Sequence, residues 1–243
     1  MKILEKMAMK AKDNFNCEGV TIAFLGDSVT QGCFEIYKKE GNEIETFFDK
    51  RHSYERYFFD ILCTLFPTVT VNIINAGISG DVSTRGAQRV DRDVIRHAPD
   101  LTVVCYGLND CSNKEDSVSV YTGALEKIFD KLSAAGSEII FMTPNMMNTK
   151  ISPHLKDSDF LGIAENSAKM QNDGTFDRHI DSAKALCKSK NIPVCDCYSI
   201  WKMLSENGVD TTELLANKIN HPTPDMNRLF AAELVKTIFT YKA

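Results

Sequence analysis

Five short apolar runs alternate with longer amphipathic segments along this chain. The runs are rich in β-branched and large apolar residues, which is typical of strands that are buried on both faces. They cover Val20–Leu25, Val69–Asn75, Leu101–Tyr106, Glu138–Thr143 and Pro193–Cys197. The segments between them place apolar residues at helical spacing. Helices are predicted over Ser53–Phe66, Thr84–His97, Asp116–Ala135, Phe176–Lys190 and Asn227–Tyr241. This alternation predicts an α/β fold with a parallel sheet that helices cover on both faces.

The chain shows no internal repeat and no low-complexity linker, so one domain over residues 1–243 is predicted. Two longer stretches, Cys33–His52 and Asn145–Thr175, show neither periodicity and are predicted to be irregular loops. Loops of that length in a compact domain usually serve as lids or insertions. Both follow the carboxyl ends of predicted strands, where open α/β sheets bind their ligands.

Composition excludes several classes of function. Of the 243 residues, 43% are apolar and 25% charged, and the formal net charge is -5. No basic stripe is present to track phosphates, so no nucleic-acid partner is expected. The chain has no stretch of about 18 apolar residues, which is the length that a membrane span requires. The N-terminal stretch MKILEKMAMKAKDNFN lacks the apolar core of a secretory signal, and a cytoplasmic location is expected.

The cysteines and histidines do not form a metal-binding pattern. No Cys-x-x-Cys pair occurs among the eight cysteines, and three of them (Cys105, Cys195 and Cys197) lie in predicted strands. Reduced thiols are therefore expected, with Cys195 and Cys197 on one face of the last strand. Four scattered histidines are interpreted as surface or loop residues, namely His52, His97, His154 and His179. No metal and no organic cofactor is predicted.

The stretch FLGDSVTQG, which ends the first predicted strand, is the first candidate for chemistry. It is not a P-loop, since no lysine follows Gly32, and it lacks the third glycine of a dinucleotide fingerprint. It is not the Gly-x-Ser-x-Gly elbow either, because position 30 is threonine. Taken alone, Ser28 has two interpretations: a serine that caps a turn, or a nucleophile at a strand end.

Three later stretches favour the nucleophile. They are NAGISGD at 75–81, GLND at 107–110 and NKINHP at 217–222. The first two follow the second and third strands, whose ends open on the same edge of a parallel sheet as the end of the first. Ser28, the backbone amide of Gly80 and the side chain of Asn109 can therefore converge, and a late loop can bring His221 to them.

Ser, Gly, Asn and His in this order resemble the SGNH (GDSL-type) hydrolase family, over Gly26 to about Phe230. The resemblance implies a flavodoxin-like three-layer α/β/α sandwich with a five-stranded parallel sheet, and ester hydrolysis without metal or cofactor. It also implies that Ser28 is the nucleophile and His221 the general base. The N–H groups of Ser28 and Gly80 and the Nδ2 of Asn109 would form the oxyanion hole.

The chain departs from the family at one position. An aspartate usually stands three residues before the histidine to orient the imidazole, and here that residue is Lys218. Either a Ser–His dyad operates, or another acceptor substitutes: a backbone carbonyl, or the side chain of Asn217, Asn220, Asp210, Glu213 or Asp225. Without a carboxylate partner, we expect the pKa of His221 to lie near the ordinary value of about 6.5.

The predicted function is a serine esterase for small acyl esters. The Asn-His-Pro sequence at 220–222 resembles carbohydrate acetyl-esterases, which implies an acetyl ester on a small molecule or oligosaccharide. One alternative is a non-catalytic carbohydrate-binding protein on the same fold, favoured by Lys218. Another is a metal-dependent phosphoesterase, although the Asp-x-His and Gly-Asn-His blocks of that class are missing. Asp27 and Asp110 are interpreted as acceptors of backbone N–H groups rather than as metal ligands.

Overall fold

The computed structural model describes residues 1–40 and 43–241. The strands are β1 (Val20–Gly26), β2 (Cys33–Lys38), β3 (Ile44–Phe48), β4 (Val71–Gly77), β5 (Leu101–Cys105), β6 (Glu138–Met142) and β7 (Val194–Cys195). The α-helices are α1 (Lys2–Lys12), α2 (Ser28–Gln31), α3 (Tyr54–Leu65), α4 (Ser83–Asp93), α5 (Ser117–Ala134), α6 (Ser158–Asn172), α7 (Thr175–Ser189), α8 (Cys197–Glu206) and α9 (Pro224–Thr240). Short 3₁₀ turns cover Ile95–His97 and Thr211–Leu214.

Five of the strands form one parallel sheet in the order β4-β1-β5-β6-β7. Counted along the sheet, this is the 2-1-3-4-5 order of the flavodoxin-like fold. The predicted α/β class and five-stranded parallel sheet are therefore confirmed. In the register, Gly26 at the end of β1 lies between Gly77 of β4 and Cys105 of β5. Strands β1, β4 and β5 thus end at one level, and the segments that follow them meet at one edge of the sheet.

Alternate residues of β1 enter two apolar layers. Ile22 and Phe24 face the layer that contains residues of α1, α3, α8 and α9. Ala23 and Leu25 face the layer that contains residues of α4, α5 and α7. Because successive side chains of a strand point to opposite faces, a run of apolar residues can supply both layers at once. This placement explains why the strand runs show no alternation in the sequence.

The last predicted strand is shorter than expected. It covers Val194–Cys195 only, because the side chain of Asp196 accepts the N–H of Ser199 and begins α8. The prediction that Cys195 and Cys197 share one strand face is therefore wrong. Both are buried, with their sulfur atoms 3.8 Å apart across the strand-to-helix junction. All eight cysteines are free in the structure.

Both stretches predicted to be irregular contain regular structure. Residues 33–48 carry the antiparallel hairpin of β2 and β3, and residues 145–175 contain α6. The hairpin escaped detection because much of it is exposed and its apolar residues do not alternate cleanly. Lys38 joins the two insertions, since its Nζ lies 3.1 Å from Asp157 and 2.7 Å from Asp159 at the start of α6.

Over residues 1–40 and 43–241, the structure contains no helix with the length and apolar character that crossing a membrane requires. The assignment of residues 1–243 to one domain stays a prediction.

Candidate active site

Ser28 lies on a tight turn at the carboxyl end of β1. Asp27 caps α2 by accepting the N–H of Val29 at 3.0 Å, so Ser28 becomes the first residue of that short helix. The glycine before it is required by space. A Cβ atom on Gly26 would lie 2.1 Å from the Thr30 hydroxyl and 2.6 Å from the carbonyl oxygen of Cys105. The Gly-Asp-Ser sequence therefore lets the chain fold back closely at the sheet edge and present Ser28 there.

The serine and the predicted base are in contact. Ser28 Oγ lies 2.9 Å from His221 Nε2, although 193 residues separate them in the chain. Ser28 is 3% exposed and His221 5% exposed, so the pair is shielded from solvent. With the ring proton on Nδ1, the Ser28 hydroxyl donates to Nε2, which is the arrangement a general base requires.

Asn217 shapes the loop that carries His221. Its Oδ1 accepts the N–H groups of Ile219, Asn220 and His221 at 3.0, 2.9 and 2.9 Å. The loop is tied to the chain after β6, because Asn145 Nδ2 donates to the carbonyl oxygen of Asn220 at 2.8 Å. Sequence reasoning missed Asn145, since no periodicity or motif marks it. The loop-forming role of Asn217 could be recognised from the sequence, because asparagine side chains often accept nearby backbone N–H groups.

The candidates to replace the missing aspartate are occupied elsewhere. Asn217 Oδ1 binds the three loop amides, and Asn220 Oδ1 accepts Asn217 Nδ2 at 2.9 Å. Asp210 pairs with Lys150, Glu213 pairs with Lys218, and the Asp225 side chain is 89% exposed beside Arg228. Among the described residues, His221 Nδ1 has no partner in hydrogen-bonding geometry. The structure thus favours a Ser–His dyad over a triad.

Burial sets the pKa of the His221 imidazole. It lowers the pKa of His221 to about 4, and the backbone of Phe34 in β2 offsets this only in part. The expectation of a value near 6.5 is therefore wrong. The expected value reflects only the missing carboxylate. Removal of the ring from water lowers the pKa further, because desolvation disfavours the charged form of a histidine.

We expect the acid limb of kcat/KM to lie near pH 4 rather than near 6.5. A base must be neutral to accept the Ser28 proton, and a lowered pKa keeps the ring neutral in mild acid. The measurement is kcat/KM from pH 3.5 to 8, with circular dichroism to confirm folding at each pH. Asp27→Asn is the control, because burial raises the pKa of Asp27 to about 7. An acid limb of kcat/KM near pH 6.5 in both the wild type and Asp27→Asn would contradict the expectation.

Three N–H donors lie on the segments that follow β1, β4 and β5, which end at one level of the sheet. Gly80 lies in the turn after β4 with φ +71, a conformation that favours glycine, and a Cβ there would contact nothing within 4 Å. The hydrogen bonds of the described residues use neither the N–H of Ser28 nor that of Gly80. Asn109 Nδ2 donates one hydrogen to the carbonyl oxygen of Asp81 at 2.9 Å. An amide nitrogen has two hydrogens, so the second remains for a ligand.

The two aspartates beside these residues accept backbone N–H groups, as predicted. Asp27 accepts Val29, and Asp110 Oδ1 accepts the N–H of Ser83 at 2.8 Å. Burial raises the pKa of Asp110 as well.

The histidines outside the site follow the prediction with one exception. His52, His97 and His154 are exposed. His179 is buried in α7 at 1% exposure, with Nδ1 2.8 Å from the carbonyl oxygen of Thr175, so its assignment to the surface is wrong. Within the described part of the chain, no group of three or more His, Cys, Asp or Glu residues is arranged to hold a metal ion.

The fold and this constellation define a class of α/β protein with a flavodoxin-like sheet and a serine at the end of its first strand. Residues 24–229 match the model of the GDSL-like lipase/acylhydrolase family, and the chain belongs to this family. The resemblance to SGNH (GDSL-type) hydrolases is thus confirmed.

A curated relative supports the same assignment. The chain is 26% identical over 135 residues to an acetylxylan esterase of Geobacillus stearothermophilus. The match covers 52% of this chain and 60% of the relative, so it spans less than two thirds of that protein.

Solved structures share the fold. A mutant of Axe2, described as an acetyl-xylooligosaccharide esterase from Geobacillus, superimposes with a TM-score of 0.68 at 18% identity, covering 93% of this chain and 96% of that one. A lipase/acylhydrolase from Enterococcus faecalis gives a TM-score of 0.63 at 22% identity, covering 90% and 95%.

Proposed function

We propose that this protein hydrolyses carboxylic esters through an acyl-enzyme on Ser28. The observation that carries the proposal is the 2.9 Å contact between Ser28 Oγ and His221 Nε2, with the unengaged N–H groups of Ser28 and Gly80 at the same edge of the sheet. A serine hydroxyl is a weak nucleophile until a neighbouring base takes its proton. A tetrahedral intermediate needs donors aimed at its oxygen. The chain supplies candidates for both requirements at one edge of its sheet.

The reaction proceeds in two halves. Ser28 Oγ attacks the ester carbonyl carbon while Nε2 of His221 takes the hydroxyl proton. The negative charge that forms on the carbonyl oxygen is stabilised by the N–H groups of Ser28 and Gly80 and by the second Nδ2 hydrogen of Asn109. His221 then gives its proton to the departing alcohol. In the second half a water molecule attacks the acyl-enzyme while His221 takes its proton, and His221 then returns that proton to Ser28 Oγ as the acid leaves.

A dyad must stabilise the transient imidazolium without a carboxylate. Solved variants of the Geobacillus esterase that are described as catalytic mutants replace a serine, an aspartate and a histidine three residues after it. In this chain Lys218 occupies the corresponding spacing, and its Nζ bonds Glu213 at 2.9 Å. The Phe34 backbone favours the charged ring. We expect slower acyl transfer than in a complete triad, with activity retained at lower pH.

The substrate that we propose carries a small acyl group, acetyl above all. Ser28 is 3% exposed, so a long acyl chain would have to displace protein to reach it. Carbohydrate esters are the proposed class, because the curated relative is an acetylxylan esterase and the Asn-His-Pro sequence resembles carbohydrate acetyl-esterases.

Hydrolysis of p-nitrophenyl esters of increasing acyl length tests the proposal. We expect acetate to be cleaved with the highest kcat/KM and octanoate to be a poor substrate, because a short acyl chain displaces the least protein around the buried Ser28. Acetate release from acetylated xylo-oligosaccharides then tests the alcohol. Binding of such sugars without turnover would support the carbohydrate-binding alternative. Activity lost on EDTA dialysis and restored by zinc or manganese would support the phosphoesterase.

A further inference from the structure

Arg89 of α4 is a buried cation at the same sheet edge. It is 8% exposed and donates through every nitrogen of its guanidinium. Nε bonds Asp81 Oδ2 at 2.8 Å, Nη1 bonds the carbonyl oxygen of Ala76 at 2.7 Å, and Nη2 bonds that of Gly26 at 3.0 Å. Nη2 also lies 2.8 Å from the Tyr106 hydroxyl, which donates to Asp81 Oδ2 at 2.8 Å.

The partners of Arg89 belong to the segments that carry the three N–H donors. The carbonyl of Gly26 stands two residues before Ser28, and the carbonyl of Ala76 lies one residue before the end of β4, ahead of the Gly80 turn. Asp81 follows Gly80 directly, and its carbonyl oxygen accepts Asn109 Nδ2 at 2.9 Å. One rigid guanidinium therefore connects the Ser28 turn, the Gly80 turn and, through Asp81, the Asn109 side chain.

We propose that Arg89, together with Asp81 and Tyr106, is a positioning device that holds the oxyanion-hole donors in register. The proposal rests on the esterase function proposed above and adds residues outside the four that the family motif supplies. Donors stabilise an oxyanion only when they are held in place before the charge develops. The donors here come from three separate strand ends, and a planar fork with fixed N–H directions is suited to tie such segments together.

A purely structural role would not require this arrangement. Burying charged groups is costly, and an apolar cluster of similar volume often stabilises a fold as well or better. Arg89 also spends its donors on backbone carbonyls at the ends of β1 and β4, where the site is built, rather than only on carboxylates.

Gly86 supplies an independent sign that Tyr106 is held in place. A Cβ atom on Gly86 would lie 2.5 Å from the Tyr106 hydroxyl oxygen and 2.7 Å from its Cζ. Glycine inside a helix is unfavourable compared with alanine. Its presence in α4 is explained by the tyrosine, which packs against the helix backbone so that its hydroxyl reaches Arg89 and Asp81.

The test compares Arg89→Lys and Tyr106→Phe with Arg92→Lys. Arg92 shares Asp93 with Arg89 but its side chain is 67% exposed, and it contacts neither Gly26 nor Ala76 nor Asp81. For p-nitrophenyl acetate we expect kcat to fall about 10-fold in Tyr106→Phe and up to about 10²-fold in Arg89→Lys, because the loss of one donor outright costs about 10²–10³-fold. KM should change little in these two variants. The Arg92→Lys variant should keep a kcat and a KM close to those of the wild type.

A boronic acid separates positioning from folding. Boronates form a tetrahedral, anionic adduct with an active serine, so their inhibition constant reports the oxyanion hole in the folded fraction only. We expect the inhibition constant to rise by about the same factor by which kcat falls. The burst of p-nitrophenol counts the active sites in each preparation. An unchanged inhibition constant, with kcat reduced only in proportion to that burst, would overturn the proposal.

Variants that keep Arg89 guard against misfolding. Gly86→Ala should reproduce the Tyr106→Phe effect by displacing the ring, whereas Gly123→Ala in α5, where a Cβ would contact nothing within 4 Å, should keep full activity. Equal activity of the two alanine variants would count against the proposal. If the wild type cleaves no ester, or if Ser28→Ala is equally active, the proposed function fails instead of the positioning role.

Discussion

Replacement of Ser28 by alanine is expected to lower kcat for p-nitrophenyl acetate by roughly 10⁴–10⁶-fold, the range seen when a catalytic serine is removed. The variant loses the atom that forms the acyl-enzyme, and His221 Nε2 loses its 2.9 Å partner. The fold should persist, because the Asp27 cap and the Gly26 turn do not depend on the hydroxyl. The measurement is steady-state turnover, with thermal unfolding compared between the variant and the wild type.

Ser79→Ala is the matched control. Ser79 lies at the same sheet edge, next to Gly80, and its backbone N–H donates to Gln31 Oε1 at 2.6 Å, a bond that the alanine variant keeps. It should keep activity close to wild type. A fluorophosphonate should label the wild type and Ser79→Ala, and mass spectrometry should place the adduct on Ser28. Wild-type turnover by Ser28→Ala would remove the esterase proposal altogether.

Replacement of Asn109 by alanine is expected to lower kcat by about 10²–10³-fold with little change in KM. The second Nδ2 hydrogen of Asn109 is needed only when charge develops on the ester oxygen, since the first already bonds the Asp81 carbonyl. An interaction made only in the transition state lowers kcat and kcat/KM equally. Both constants should be measured with the acetyl ester, together with the inhibition constant of the boronic acid.

Two further substitutions test the chemistry at this position. Asn109→Asp should be at least as damaging as alanine, because a carboxylate repels the oxyanion and cannot donate. Asn113→Ala changes an exposed asparagine four residues onward, whose Oδ1 accepts the Thr175 hydroxyl, and should leave kcat unchanged. A loss confined to KM in Asn109→Ala would mean that Asn109 binds the substrate without stabilising the transition state.

The burial of His221 changes what the missing aspartate means. In a triad the carboxylate stabilises the imidazolium and raises the pKa of the base. Here no side chain of the described residues bonds Nδ1, the Phe34 backbone favours the charged ring, and burial still brings the pKa to about 4. Asn217 holds the backbone of the loop that carries the ring, and the ring itself bonds Ser28 Oγ through Nε2. Lys218 is accommodated because it reaches Glu213 instead of the ring.

The strands were within reach of the sequence because each depends on local features. An apolar run such as Val20–Leu25 identifies a strand by its composition, and Gly26 and Asp27 end it by their turn chemistry. The order of the four motif blocks then indicated the family. Boundaries moved where a side chain capped a helix earlier than expected, as Asp196 does before α8. The roles of Ser28, Gly80, Asn109 and His221 stay predictions.

What the sequence by itself determined is the α/β fold class, the placement of Ser28, Gly80 and Asn109 after three strands, and the absence of the family aspartate at Lys218. These follow from periodicity and spacing, which are properties of neighbouring residues. Only the tertiary structure gave the 2.9 Å contact between Ser28 Oγ and His221 Nε2, the burial of both residues, and the reach of Arg89 to Gly26, which lies 63 residues away. Contacts of that range depend on how complete layers pack, and desolvation depends on all of the surrounding residues together. For this reason the lowered pKa and the Arg89 network could not be predicted from the motifs.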